Sequence, residues 1–224
     1  MVNLENIEAV ALDFDGLLMD SERIWHEVEQ KTLCEHGIII TQEESHKTSG
    51  LRCSEVIEFW IEEKSESRDS FKSLNSIEIE GIIEARVADE ISKRGNPKPG
   101  AVRLLSWLIE NDKKFAVVSS SPKNVIQTGL DKMGFRDSEI QIFTAKDESF
   151  GKPHPAVYLS FLEHFEIPPQ RVVAFEDSLN GSIAAKAAKL NLISVPEEHN
   201  DKNNFLFADI VLETLEGFDL DALR

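Results

Sequence analysis

The sequence predicts an α/β protein, a doubly wound, Rossmann-like parallel sheet with a small all-helical unit inserted after the first strand. Short apolar runs recur along the chain and end in polar residues, and segments with helical periodicity alternate with them. One long stretch near the N-terminus has helical but no strand patterning. Ligands of such sheets bind beyond the carboxyl ends of the strands, so the polar residues should converge there.

Four apolar runs are the predicted strands of the sheet. They cover residues 7–12, 115–118, 140–145 and 171–175. Helical periodicity predicts helices over residues 156–165 and 182–190. A further helix should begin at Pro122 with Ser121 as its cap and should stop at Gly134, since proline is favoured at the first helical position and glycine just past the end.

The long helical stretch predicts a second domain. The predicted boundaries are residues 1–20 and 93–224 for the α/β catalytic core and residues 21–92 for the helical cap. Thr41 and Glu44 form a possible capping box at one of its helices. Residues 95–100, Gly-Asn-Pro-Lys-Pro-Gly, form a breaker-rich segment suited to a hinge. The two crossings between the units should lie close together, as a movable lid requires.

Composition restricts the partners of the chain. The formal net charge of −17 argues against nucleic acid, because affinity for it depends on many Lys and Arg contacts with phosphates. No apolar run is long enough to cross a bilayer, and residues 1–12 lack a secretory pattern, so we expect no membrane partner and a cytoplasmic location. Cys34 and Cys53 are expected to be reduced and structural. We expect a monomer.

Two pairs of acidic residues follow predicted strands. Asp13 and Asp15 follow the first strand, and Gly16 lets the backbone turn tightly after them. Glu176 and Asp177 follow the last predicted strand. Because parallel strands end at one edge of a sheet, these carboxylates should meet, and their repulsion would be costly without a cation. Mg²⁺ prefers oxygen ligands and combines one or two carboxylates with water and phosphate oxygens.

A hydroxyl and an ammonium group should join these carboxylates. Ser119 and the backbone amides of Ser120 and Ser121 can cradle an anion at the start of the following helix, although a simple serine cap is the alternative. Lys152 is followed by a proline that restricts its backbone, although an exposed lysine is the simpler interpretation. His154, between two prolines, is expected to hold the loop rather than to act as an acid or base.

These elements resemble, in order, the four motifs of the haloacid dehalogenase superfamily of phosphohydrolases. The motifs are Asp13-Phe14-Asp15-Gly16, Ser119 after a strand, Lys152 in Gly-Lys-Pro, and Glu176-Asp177-Ser178 with Asn180-Gly181. The match spans nearly the whole chain, and the position of the insertion resembles that of members with a helical cap. A second set of segments resembles the group of beta-phosphoglucomutases and 2-deoxyglucose-6-phosphatases or hexitol phosphatases. They are Gly16 to Glu22, Trp25, Gly50-Leu51-Arg52 and Ser119 to Pro122.

The resemblance implies a mechanism. Asp13 would attack phosphorus to form an aspartyl-phosphate. Asp15 would protonate the leaving alkoxide and then activate the hydrolytic water, which requires a raised pKa. Ser119 and Lys152 would orient and neutralise the transferring group. The implied magnesium ligands are Asp13, the backbone carbonyl of Asp15, Asp177 and, directly or through a neighbour, Glu176. The implied partner is a small phosphomonoester such as a sugar or sugar-alcohol phosphate.

Contacts with the substrate are expected from both units. Glu22, Trp25 and Arg52 are the candidates that would face the leaving group. The remaining substrate-binding candidates are Gly16, Ser120, Ser121 and Asn180.

Several alternatives stay open. A beta-phosphoglucomutase-type phosphomutase resembles the chain across the same motifs, but it carries a cap histidine where this chain has Trp25, with His26 one residue out of register. A phosphonatase would need a Schiff-base lysine, for which the cap offers no clear candidate. A dehalogenase would have no evident use for Asp15 or the phosphate-binding serine. From a different class, the chain could be a catalytically silent binding module that retained the fold.

Overall fold

A computed structural model describes residues 6–65, 69–197 and 200–224. One sheet of six parallel strands has the order β3-β2-β1-β4-β5-β6. The strands are β1 (Ala9–Leu12), β2 (Lys114–Ser119), β3 (Gln141–Thr144), β4 (Val172–Glu176), β5 (Asn191–Ser194) and β6 (Ile210–Val211). This order confirms the predicted doubly wound sheet, which places its ligand crevice beyond the carboxyl ends of β1 and the strands beside it.

Eight α-helices accompany the strands in the described ranges. They are α1 (Glu22–Glu35), α2 (Gln42–Ser45), α3 (Cys53–Ser65), α4 (Ser76–Arg94), α5 (Ala101–Glu110), α6 (Lys123–Lys132), α7 (Ala156–Phe165) and α8 (Leu179–Ala187). Helices α1 to α4 occupy the stretch predicted to be an inserted helical unit, and no strand interrupts its described residues. The division into two domains stays a prediction. The helices of the described ranges include no candidate for a membrane span.

The two faces of the sheet are buried by different helices, because successive strand side chains point to opposite faces. On one face, Val10 and Leu12 belong to a core that includes residues of α5 and α6 and of the inserted helices. On the other, Ala9 and Ala11 belong to a core that includes residues of α7 and α8. Since all four β1 residues are buried, the polar residues that follow β1 are held by a rigid central strand.

The two connections between the inserted helices and the sheet lie side by side, as predicted. The backbone N–H of Asp20 donates to the carbonyl of Asn96 at 2.9 Å, and that of Lys98 donates to the carbonyl of Leu18 at 2.9 Å. The predicted capping box at Thr41 is also present, with reciprocal bonds between Thr41 and Glu44. A hinge at these connections stays a prediction.

Helix boundaries depart from the sequence predictions in two places. The prediction of Ser121 as a helix cap was wrong, because α6 begins at Lys123 after Pro122 and the Ser121 hydroxyl donates to Asp15 instead. The helix predicted over residues 182–190 is α8, which starts earlier because the Ser178 hydroxyl accepts a hydrogen bond from the Gly181 N–H at 3.1 Å. Strands β5 and β6 were not predicted.

Two helical glycines differ in surroundings, which gives a matched test of packing. A Cβ atom on Gly129 of α6 would lie 2.4 Å from Cζ of the buried Phe14, whereas one on Gly81 of α4 would meet nothing within 4 Å. Gly129→Ala should therefore destabilise the protein by about 1–3 kcal/mol through overpacking. Gly81→Ala should be neutral or stabilising by up to about 1 kcal/mol through helix propensity. Urea unfolding of both variants measures the difference, and equal stabilities would contradict the packing described for Phe14.

Candidate active site

Three buried carboxylates meet at the carboxyl ends of β1 and β4. Asp13 follows β1, Glu176 ends β4 and Asp177 follows it, and their relative exposures are 6%, 0% and 5%. The register of the sheet brings them together, since the N–H of Asp13 donates to the carbonyl of Phe175 at 3.0 Å. Each of the three residues offers a carboxylate oxygen within 4.8 Å of the oxygens of the other two. Asp13 of the first acidic pair therefore meets both members of the second pair, whereas Asp15 is not part of this cluster.

Lys152 provides positive charge at this cluster. Its side chain is buried, and Nζ donates to Asp13 Oδ1 at 2.8 Å, to Glu176 Oε1 at 2.6 Å and to the carbonyl of Val118 at 3.0 Å. Burial alone would lower the pKa of Lys152, but the charges of Asp13 and Glu176 outweigh it and raise the pKa. The ammonium group therefore stays charged and has all three of its protons committed.

One cation does not satisfy the whole cluster. Burial, followed by repulsion from Asp13, raises the pKa of both Glu176 and Asp177 above its ordinary value. Tyr158 donates its hydroxyl to Glu176 Oε1, the oxygen that Lys152 already contacts. Oε2 of Glu176 and Oδ1 of Asp177 are buried and have no hydrogen-bond partner among the described residues. Such oxygens are costly to leave unpaired, and together with Asp13 they fit a divalent cation.

Gly16 permits the backbone to pass close to this cluster. Its φ is +74°, a left-handed conformation that L side chains rarely adopt, and a Cβ atom there would lie 1.9 Å from Asp177 Oδ2. A residue with a side chain would displace the Asp177 carboxylate. Gly16 therefore matters because it has no side chain, which lets the backbone pass close to Asp177.

Asp15 lies between the sheet and the inserted helices. Its Oδ1 accepts from the Ser21 hydroxyl at 2.6 Å and from Nε1 of Trp25 at 2.7 Å, and its Oδ2 accepts from the Ser121 hydroxyl at 2.5 Å. Ser119 Oγ is 3.4 Å from the same Oδ2. Burial raises the pKa of Asp15 despite the hydrogen bonds from Ser121 and Ser21, which favour its anion. The carboxyl can therefore carry a proton at a higher pH than an ordinary aspartate.

The serines after β2 connect the sheet with the inserted helices. Ser119 is buried, and its Oγ accepts from the backbone N–H of Ser121 at 3.0 Å. The Ser120 hydroxyl donates to the carbonyl of Gly50 at 2.9 Å, in the loop before α3. From the far side, Asn180 Nδ2 donates to the carbonyl of Ser49 at 3.1 Å. Asn180 thus holds the same loop.

A cavity borders the carboxylates, and it is lined both by residues that follow the strands of the sheet and by residues of the inserted helical stretch. The lining residues are Asp13, Asp15, Glu22, Trp25, His26, Glu29, Thr48, Ser49, Gly50, Leu51, Cys53, Val56, Ser119, Ser120, Ser121, Lys152, Asp177 and Ser178. Most of the site residues predicted from the sequence are among them. Gly16, Arg52, Asn180 and Glu176 are not part of this lining within the described residues.

Arg52 is placed beside the cavity and against the core. Its Nη1 donates to the carbonyls of Ala145 and Glu148 at 3.2 and 2.9 Å, and its Nη2 pairs with Glu55 Oε1 at 2.7 Å. These contacts fix the start of α3 to the loop after β3. The expectation that Arg52 faces the leaving group stays a prediction. His154 also lies outside the lining and accepts a local bond from the Ala156 N–H at 3.2 Å.

Three residues of the site were missed at the sequence level. Tyr158 and Ser21 hydrogen-bond the acidic residues, and Glu29 is a buried carboxyl residue in the cavity wall. A signal existed for Glu29, because it follows Glu22 by seven residues and Trp25 by four and so shares their face of α1.

Comparisons with known proteins identify relatives of the chain. A family model described as haloacid dehalogenase-like hydrolase matches residues 10–195. Hexitol phosphatase B of Escherichia coli (strain K12) is 32% identical over 212 residues, which cover 93% of each chain. A phosphorylated carbohydrates phosphatase of Thermotoga maritima is 29% identical over 209 residues, which cover 92% of this chain and 93% of that protein.

Solved structures share the fold. CbbY from Rhodobacter sphaeroides in complex with phosphate superposes with a TM-score of 0.84 at 24% identity, covering 97% of this chain and 99% of that one. Beta-phosphoglucomutase from Clostridium difficile superposes with a TM-score of 0.82 at 22% identity, covering 96% and 94%. At these identities the likeness concerns the fold alone.

The unpaired carboxylates give a prediction about metal and pH. Because the folded-state pKa of Asp177 is raised, the stability contributed by its protonated form is lost as pH rises through that pKa. A cation binds the ionised form, so magnesium should raise the melting temperature more at pH 8 than at pH 6. The gain would be about 2.7 kcal/mol at a magnesium concentration 100 times Kd. Asp177→Asn should abolish most of this rise in melting temperature. Thermal unfolding with magnesium and with EDTA measures it.

The matched control is Asp20→Asn, which removes an exposed carboxylate from the segment between β1 and α1 and should behave as wild type. An equal magnesium-induced rise in wild type and in Asp177→Asn would show that the ion binds elsewhere.

Proposed function

The chain belongs to the haloacid dehalogenase-like hydrolase family and is a phosphatase, and we propose that it hydrolyses a small sugar or sugar-alcohol phosphomonoester through an aspartyl-phosphate, with magnesium as cofactor. The supporting observation is the arrangement of two aspartates at the end of β1. Asp13 is paired with a buried ammonium group, and Asp15, two residues on, has a raised pKa. These are the properties that a nucleophile and a general acid require.

Asp13 is the proposed nucleophile. Its Oδ1 is held by Lys152 at 2.8 Å, and no hydrogen bond from a described residue occupies its Oδ2. That oxygen is therefore available to form a bond to phosphorus while the bond from phosphorus to the leaving oxygen breaks. Covalent capture divides one difficult displacement into two easier ones.

Asp15 is the proposed acid and base. In the first step its carboxyl proton passes to the departing alkoxide, and in the second its carboxylate takes a proton from the water that cleaves the aspartyl-phosphate. The hydroxyls of Ser21 and Ser121 and the indole of Trp25 fix its two oxygens. These hydrogen bonds therefore keep the Asp15 carboxyl in one orientation during both steps.

Charge neutralisation is the remaining requirement, because an anion must approach a phosphate dianion. Lys152 places its ammonium group against Asp13, and Ser119 lies at the cavity wall where it can orient phosphate oxygens. Asp13, Asp177 and the backbone carbonyl of Asp15 would hold magnesium, with Glu176 beside them. The ion would supply positive charge to the phosphate oxygens.

Trp25 favours hydrolysis over phosphoryl transfer between two hydroxyls of a sugar. An indole N–H is only a donor, so Trp25 can hold Asp15 but cannot relay a proton from a second hydroxyl. His26 lies in the cavity wall one position further along α1, with its Nε2 4.0 Å from Glu22 Oε1. Product analysis by NMR should show free phosphate and dephosphorylated alcohol, without isomerised phosphate ester.

The direct test of the proposed function is phosphate release from p-nitrophenyl phosphate and from hexose and hexitol phosphates. Wild type should turn over both classes with magnesium and lose activity with EDTA. Asp13→Asn keeps the size of the side chain but removes the nucleophile, and it should lower kcat by about 10³-fold or more. Continuous phosphate detection measures both rates.

Asp20→Asn, in an exposed position outside the cavity lining, is the control and should retain wild-type rates. Similar phosphate release by wild type and Asp13→Asn would refute the assigned nucleophile. A folded wild type that releases no phosphate from any of these esters would instead support a catalytically silent module.

A further inference from the structure

We propose that Glu29 is the specificity-determining residue of a leaving-group subsite that accepts a neutral, polyhydroxylated group and rejects a second anionic group. The inference rests on the proposed function and deepens it, since it identifies which phosphate esters the cavity selects.

Glu29 points to a ligand because its side chain is largely buried and lines the cavity. Its relative exposure is 5%, and it lines the cavity from the same face of α1 as Glu22 and Trp25. No hydrogen bond or ion pair joins its carboxyl group to another described residue. Neither carboxyl oxygen is among the fully buried, unpaired side-chain atoms of the described residues, so the carboxyl opens to the cavity, where a group supplied by the ligand can hydrogen-bond it.

The charge state of Glu29 suits a hydroxyl group. Burial, followed by the charges of Asp15 and Glu22, raises the pKa of Glu29 to about 8. The protonated carboxyl both donates and accepts hydrogen bonds, as a hydroxyl does. A phosphate or carboxylate on the leaving group would instead lie among the acidic side chains of Glu29, Glu22 and Asp15.

The remainder of the cavity wall gives a second anion no cation to bind. Lys152 is the only lysine or arginine among the described residues of the lining, and its three protons are committed to Asp13, Glu176 and Val118. The His26 imidazole in the same wall is 4.0 Å from the carboxylate of Glu22.

Arg52, which could have supplied a cation from the inserted helices, is directed to the loop after β3 and to Glu55. The side chains that line the subsite are therefore mainly acidic or uncharged. Thr48 and Ser49 add hydroxyl groups to it, and Cys53 and Val56 add apolar surface for a carbon skeleton.

The test compares Glu29→Leu and Glu29→Gln with wild type on sorbitol 6-phosphate and p-nitrophenyl phosphate. Loss of the hydrogen-bonding carboxyl in Glu29→Leu should lower kcat/KM for sorbitol 6-phosphate about tenfold or more, mainly through KM. Turnover of p-nitrophenyl phosphate, which has no hydroxyl groups on its leaving group, should change less than about twofold by the same reasoning. Glu29→Gln, which keeps a donor and an acceptor, should recover most of the lost kcat/KM.

Glu27→Leu is the matched control, because Glu27 lies on α1 but pairs with Arg23 and Arg94 outside the active cavity. It should leave the ratio of the two kcat/KM values unchanged. The charge argument is tested with fructose 1,6-bisphosphate and fructose 6-phosphate. Wild type should prefer the monophosphate, and Glu29→Lys should shift the preference toward the bisphosphate.

Equal losses on both aryl and hexitol esters in Glu29→Leu would mean a structural role and would overturn the assignment. Unchanged activity of Glu29→Leu on sorbitol 6-phosphate, or a wild-type preference for the bisphosphate, would overturn it as well. Failure of folded wild type to release phosphate from any of these esters with magnesium would overturn the proposed function itself, and this assignment with it.

Discussion

Repulsion among buried carboxylates is the constraint around which the site is built. The parallel register of β1 and β4 brings Asp13, Glu176 and Asp177 together away from water. Lys152 compensates Asp13 and one oxygen of Glu176, and no described residue offers a hydrogen bond to Glu176 Oε2 or Asp177 Oδ1. The fold therefore retains a demand for positive charge. A divalent ion would satisfy that demand and would prepare the site for a phosphate dianion.

Asp15 connects this charged centre to the inserted helices. One of its oxygens accepts from Ser21 and Trp25, at the start of the insertion, and the other accepts from Ser121 of the core. Proton transfer is thus proposed at the junction of the two parts, where the leaving group would lie. The phosphate would be held by residues of the sheet edge, whereas α1, with Glu29 in its cavity face, would contact the remainder of the substrate.

The sequence was sufficient for the sheet edge because short apolar runs mark its strands and polar residues mark their ends. It was insufficient where a side chain's role depends on distant partners. Ser121 looked like a helix cap, but its hydroxyl reaches Asp15, and Arg52 contacts a loop almost a hundred residues away in the chain. The spacing of Glu29 from Glu22 and Trp25 placed it on their face of α1, but the burial of that face at a cavity is a tertiary property.

The most direct measurement is a crystal structure grown with Mn²⁺ in place of magnesium and with inorganic phosphate, with anomalous scattering locating the metal. A single anomalous peak is expected about 2.0–2.3 Å from carboxylate oxygens of Asp13 and Asp177, with a phosphate oxygen completing the coordination. A peak elsewhere, or saturating Mn²⁺ with no peak between these two residues, would contradict the claim that carboxylate repulsion in this cluster is resolved by a bound divalent ion.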